Sequence, residues 1–238
     1  MKLATLLASA VALLGYAGAH GQVQQYQIAG KWYNGYHSYA PNSIQRSFTS
    51  GDPLLDMNSN TIRCNNPGHA ALEQATVAAG SSVTAYWGSW PHTHGPVIVW
   101  MAKCPGRCSD YDGSGNRWFK ISQGGLLGGN QKDGEWGQVR MIAQNASWTT
   151  WIPESLAAGE YLMRHELVAL HDPGKPQFYP QCAQLTVTDG QGKNPPSSAY
   201  ASIPGVYKTD DPSLNINIYA SDGQKTTWAA PGPAPWYG

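Results

Sequence analysis

Short apolar runs separated by Gly, Pro, Asn and Asp dominate the chain. Ser82 to Trp87, Val97 to Ala102, Ser147 to Ile152, Tyr161 to Leu170, Cys182 to Thr188 and Leu214 to Tyr219 are rich in β-branched and aromatic residues and have strand length. No long stretch keeps the 3.6-residue period of a helix, and only Pro153 to Ala158 suggests a short helical turn. The pattern predicts an all-β, antiparallel β-sandwich of the immunoglobulin-like or fibronectin-like kind, with much of the chain in long loops where a site can be built. There is no internal repeat, and no Ser/Thr/Pro linker leads to a further module.

The beginning of the chain reads differently. Lys2, an apolar run from Leu3 to Tyr16 and the small residues Ala17-Gly18-Ala19 form the pattern of a secretory signal peptide cut after Ala19. The expected organisation is a signal over 1–19 and one domain over 20–238. That domain is expected to be an extracellular monomer, and soluble because no later run approaches the roughly 20 apolar residues that a membrane span needs. Without Lys2, 14 basic residues face 15 acidic ones, a formal charge of −1 that gives no footing for nucleic acid and favours a neutral partner. Four cysteines suggest two disulfides; Cys104 and Cys108 are close enough to staple one loop, leaving Cys64 for Cys182, one of three possible connectivities. Asn145-Ala-Ser147 is a glycosylation sequon.

Seven histidines exceed what a sandwich core needs. If His20 is the first mature residue, its α-amine and a ring nitrogen can chelate a metal. A second histidine then completes a three-nitrogen set suited to tetragonal Cu(II). Trp90-Pro-His-Thr-His-Gly-Pro-Val97 offers His92 and His94, which alternation would put on one side of an extended segment. The stretch from His171 to Cys182 adds a histidine, the amide of Gln177 and the phenol of Tyr179.

Taken in order, these elements resemble fungal lytic polysaccharide monooxygenases of auxiliary activity family nine. The likeness runs nearly the full length after residue 19. It includes His20-Gly, Trp-Pro-His with Gly-Pro-Val, Ala102-Lys-Cys-Pro-Gly-Arg-Cys108, Trp118-Phe-Lys-Ile121 and Ile152-Pro-Glu-Ser-Leu156. It continues through the run from Gly159 to His171, Gln177-Phe-Tyr-Pro-Gln-Cys182 and Asn217-Ile-Tyr219. The resemblance implies one copper ion held by His20 and a second histidine, with Tyr179 as the axial phenol and His171 and Gln177 as outer hydrogen-bonding partners. It also pairs Cys64 with Cys182 and Cys104 with Cys108. The family spacing has one residue between the ligand histidine and Gly-Pro; His92 has two and His94 none. Trp-Pro-His favours His92, with His94 as the alternative.

The resemblance further implies oxidative cleavage of a β-glucan, cellulose foremost, at C1 or C4, using O2 or H2O2 and an external electron donor, on a flat copper-bearing face. Trp228 is the expected stacking residue because relatives carry an aromatic there, and Tyr36 and Tyr39 are further candidates. Three rival functions make different demands. A glycosidase needs a carboxylate pair, for which Glu154, Glu160, Glu166, Asp172 and Asp189 are available. A non-catalytic binding module would leave no new chain ends, and a copper carrier would consume no reductant.

Overall fold

The structure is a computed structural model that describes residues 21–238; the expected signal peptide and His20 lie outside the described residues. Its strands in chain order are β1 Val23–Ile28, β2 Lys31–Asn34, β3 Ala75–Ala78, β4 Ser82–Trp87, β5 Val97–Lys103 and β6 Asn116–Gly124. They continue as β7 Leu126–Gly128, β8 Glu135–Trp136, β9 Ser147–Trp151, β10 Gly159–Ala169, β11 Gln177–Thr188 and β12 Ala201–Ser202. A helix α1, Gly137–Ala143, precedes β9.

Two sheets face each other. One has the order β2-β1-β4-β9 and is antiparallel throughout; the other runs β12-β6-β5-β10-β11-β3 and is antiparallel except where β3 lies parallel to β11. The expected sandwich is therefore present. Alternation along the central strands divides the interior in two. Val97, Val99 and Met101 of β5, with Met163 and Leu167 of β10, pack against Tyr26, Ile28, Val83 and Ala85 of the facing sheet. The intervening Ile98, Trp100 and Ala102, with Leu162 and Val168, pack under the long loops after β11. Burial on both faces explains why β5 and β10 read as continuous apolar runs.

That second layer corrects one strand expectation. Leu214, Ile216 and Ile218 are buried in alternation but belong to an irregular, turn-rich segment laid over the outer face of the six-stranded sheet. Period-two burial arose there without any ladder partner. Pro153 to Ala158 forms turns, and the helix lies instead at Gly137–Ala143. The disulfides are Cys64–Cys182, which ties the loop before β3 to β11, and Cys104–Cys108 at the end of β5. No helix of the described residues is long and apolar enough to cross a membrane.

Candidate metal centre

The loop between β4 and β5 carries Trp90, His92 and His94, and α1 holds it in place. The buried Trp90 indole N–H donates to Gln138 Oε1 at 3.0 Å, and Gln138 Nε2 donates to the carbonyls of Pro96 (3.1 Å) and Val168 (2.9 Å). One fully buried amide thus satisfies three groups from two segments, the β4–β5 loop and β10. Gly95, at φ +139°, packs so closely on the Val168 carbonyl that any Cβ would collide with it. The Leu170 N–H donates to the His94 carbonyl at 2.9 Å, fastening the loop to the end of β10.

On this base the His92 ring stands edge-to-face with Trp90, centroids 5.2 Å apart. The turn between β10 and β11 brings His171 against it, stacked at 4.3 Å with planes 10° apart. Alternation along β11 sets Gln177, Tyr179 and Gln181 on one face. The Tyr179 hydroxyl lies 3.4 Å from His92 Nε2 and donates to Gln177 Oε1 at 2.8 Å, while Gln181 Oε1 accepts from the Val23 N–H at 2.6 Å. Burial pushes the Tyr179 phenol well above its ordinary pKa, and the Asp52 carboxylate adds to the effect, so it stays protonated.

The donors present suit a nitrogen-rich metal site. Imidazoles and a phenol converge, all four cysteines are in disulfides, and no group of three His, Cys, Asp or Glu among the described residues could hold a metal alone. A copper ion at His92 would draw its other nitrogens from elsewhere, which fits the expectation for His20.

Known proteins resemble this chain over most of its length. The profile of Auxiliary Activity family 9 (formerly GH61) matches residues 20–228. The chain belongs to that family. AA9 family lytic polysaccharide monooxygenase B of Heterobasidion irregulare is 48% identical over 245 residues, covering 100% of both chains. Lytic polysaccharide monooxygenase D of Thermothelomyces thermophilus is 44% identical, covering 89% of this chain and 87% of its own. The crystal structure of HiLPMO9B superposes with a TM-score of 0.89 at 49% identity, over 92% of this chain and 100% of that one. A cellulose-active polysaccharide monooxygenase from M. thermophila gives 0.85 at 40% identity, over 92% and 99%.

This family 9 monooxygenase separates the two histidines that alternation left together. Pro91 to Gly95 is not a strand, so the rings diverge: His94 Nε2 meets the Lys132 carbonyl at 2.7 Å and Nδ1 meets the Thr93 hydroxyl at 3.2 Å, away from Tyr179. The disulfides follow the pairing that the resemblance implied.

The aromatic candidates fare unevenly. Trp228 is half-buried, its N–H donating to the Ser213 carbonyl at 2.8 Å and its ring set against Trp136 and Gly125. These contacts fix the orientation of the Trp228 ring. The ring that stands out of this region is Tyr219, 64% exposed, on a turn where the Asn217 side chain accepts its N–H at 3.0 Å. Gly174 N–H, in the loop of His171, donates to the Ile216 carbonyl, and Lys132 N–H donates to the Gly223 carbonyl, so this turn borders the same end of the sandwich as His171 and His94. Its signal in the sequence, Asn217-Ile-Tyr219, served only as a likeness to relatives. Tyr39 is 84% exposed and stacked on His37, whereas Tyr36 is half-buried against Phe48. Trp90 and Gln138, which carry the site, gave no sequence signal beyond the Trp-Pro-His likeness.

Two of the candidate carboxylates are engaged in structural contacts. Glu166 is fully buried, paired with Arg164 at 2.5 Å and accepting from the Tyr207 hydroxyl, and Glu160 accepts from the Cys108 N–H at 2.7 Å. Both are occupied in structural roles, and Glu166, opposite Pro180, lies on the sheet face away from Tyr179.

Proposed function

We infer that this chain is a copper-dependent enzyme that cleaves β-1,4-glucan chains, cellulose foremost, by hydroxylating C1 or C4. The observation that carries the reading is His92 Nε2 facing the Tyr179 hydroxyl at 3.4 Å with His171 stacked behind it. His92 and His20 would hold the copper, with the Tyr179 phenol beside them. Two facts support His20 as the first residue of the mature, secreted chain. The family match starts at residue 20, and Gly21 packs so tightly on Ser89 and Trp90 that it admits no side chain, two residues from His92. Copper, when bound, supplies one-electron chemistry that activates O2 or H2O2 with electrons from an external donor.

The chain's own groups do the rest. Tyr179 closes one side of His92, because its protonated phenol is buried and engaged with Gln177. Accepting that proton at Oε1 leaves the Gln177 amide nitrogen as the donor end. His171, half-buried and stacked on His92, is positioned to hold or pass a proton at the site. Tyr219 and Tyr39 offer exposed rings for a glucan chain. Asn145, exposed on the turn after α1, is the proposed glycan site, and the protein works as a monomer on a neutral polysaccharide.

The test uses copper-loaded protein secreted from a fungal host, incubated with cellulose and ascorbate, and mass spectrometry of soluble products. Oxidised oligosaccharides that vanish in His20→Ala and after chelation are the expected result. Unoxidised products that survive chelation would replace this reading with a hydrolase.

A further inference from the structure

We propose that the outer face of the β2-β1-β4-β9 sheet is a second glucan-binding surface, separate from the metal centre. Pairing fixes which side chains point outward. Tyr26, Ile28, Val83, Ala85 and Trp87 fill the core, so the intervening residues face away from it. The outward aromatic residues are Trp32, Tyr86 and Trp151; the outward amides are Gln25, Gln27 and Asn34. Every other outward position of β4 and β9 is serine or threonine. None is charged. Lys31, the sole charged residue of the four strands, turns to the other side, its ammonium 5.2 Å from the centre of the Tyr33 ring.

This composition points to one kind of partner. Trp32 is 52% exposed and leans on Tyr86, ring centroids 5.1 Å apart, and Trp151 is 63% exposed at the opposite edge. Trp32 sits beside Gln27, then Thr84, then Thr149, two residues from Trp151. By strand spacing their Cα atoms lie roughly 16 Å apart across the sheet, the reach of a short run of sugar rings. Beside Trp151 and Trp148 a groove of about 490 Å³ opens, lined also by Arg140, whose guanidinium is paired with Glu135. Aromatic faces give sugar rings a stacking surface, and the amides and hydroxyls between them both donate and accept, as sugar hydroxyls require. Nucleic acid would need cations here, and a protein partner would want a more continuous apolar patch. The inference rests on the β-glucan reading above. It adds a foothold on the flank of the sandwich that keeps the enzyme near its substrate while the metal face is free.

The test is a binding isotherm of copper-loaded protein on cellulose without reductant, so that it does not depend on the oxidative chemistry. Trp32→Ala and Trp151→Ala should each weaken binding about fivefold and the double variant about twentyfold, with Trp32→Phe close to wild type. Oxygen consumption with ascorbate in the absence of glucan should be unchanged. Binding within twofold of wild type in the double variant would overturn the proposal, as would a wild type that binds no β-glucan. If the substitutions act only in an Asn145→Gln background, the protein's own glycan covers the face and the proposal fails. Sedimentation showing a dimer that the double variant dissociates would assign the face to a second copy instead. Loss of oxidised products with the binding differences intact would sink the monooxygenase reading and leave this surface standing.

Discussion

His92 and His171 lie face to face, ring centroids 4.3 Å apart and planes within 10° of parallel, while His94 turns to the Lys132 carbonyl. Removing His92 should therefore abolish tight copper binding and the oxidised products, whereas His94→Ala should change copper affinity less than about threefold. His171→Ala should keep the metal but lower turnover about 10- to 100-fold, as outer hydrogen-bonding groups do. Calorimetric copper titration beside product analysis separates these cases. A His94→Ala protein that no longer binds copper would reverse the assignment of the two histidines.

Gln138 satisfies the Trp90 indole and the carbonyls of Pro96 and Val168 from a fully buried position. Leucine there would strand three polar groups and cost about 2–4 kcal/mol. The expected fall in Tm is about 4–16 °C. Copper affinity should fall with it, because Trp90 no longer braces the His92 ring. Unchanged melting would mean that the helix does not hold the loop.

The exposed Tyr219 and the packed Trp228 make opposite predictions. Tyr219→Ala should weaken adsorption to cellulose severalfold with Tm unmoved, since its ring touches solvent. Trp228→Ala should lower Tm by several degrees, because the ring fills space against Trp136 and Gly125. Adsorption and melting curves that exchanged these roles would restore Trp228 as the stacking residue.

His165 is buried between Tyr26 and Trp87, and neither ring nitrogen has a hydrogen-bond partner among the described residues. Burial lowers its pKa from 6.5 to about 3. The unfolded chain takes up a proton near pH 6.5 that the folded protein refuses until about 3. Stability is therefore full above 6.5 and declines as pH falls through that window, by at most about 1.4 kcal/mol per unit. His165→Leu should flatten this acid limb in denaturant titrations at pH 4 and 7. An equal loss in both proteins would place the acid sensitivity elsewhere.

The strands most legible in the sequence are those buried on both faces or cleanly alternating: β4 runs Ser82–Trp87 as expected, and β5, β9 and β10 differ by a residue or two at their ends. β1 carries little sequence signal because its outward residues are glutamines and a bulge near Gln24 interrupts its alternation. The start of β11 was obscured by Pro180, which cannot donate to a ladder yet sits opposite Glu166. Seven residues of helix over Gly137–Ala143 are too few to show a period. At the site, residue types at the right places in the chain were readable, whereas the divergence of His92 and His94 was not. That divergence depends on a loop conformation set by Gly95 against Val168 and by a glutamine from another segment.

Lys120 is buried with its ammonium 5.2 Å from the Trp100 ring centre and donating to Gln123 Oε1 at 3.0 Å. Burial lowers its pKa from 10.5 to about 8, against the opposing pull of Glu166 and Asp211. Below pH 8 both folded and unfolded forms carry the charge, and the fold bears the full cost of burying it. Between about 8 and 10.5 the folded form has released a proton that the unfolded form keeps, so this group makes stability rise with pH. Several buried tyrosines oppose the trend above about 10, where the unfolded chain begins to lose phenolic protons, so the clean window is pH 8 to 10. Lys120→Met should remove the rise in that window and stabilise the protein at pH 7 by about 1–3 kcal/mol, less whatever Gln123 loses. Chemical denaturation of both proteins at pH 7, 8, 9 and 10 reads this out. A wild-type stability that falls steadily from 8 to 10, with the variant parallel to it, would show that Lys120 keeps its proton inside the fold.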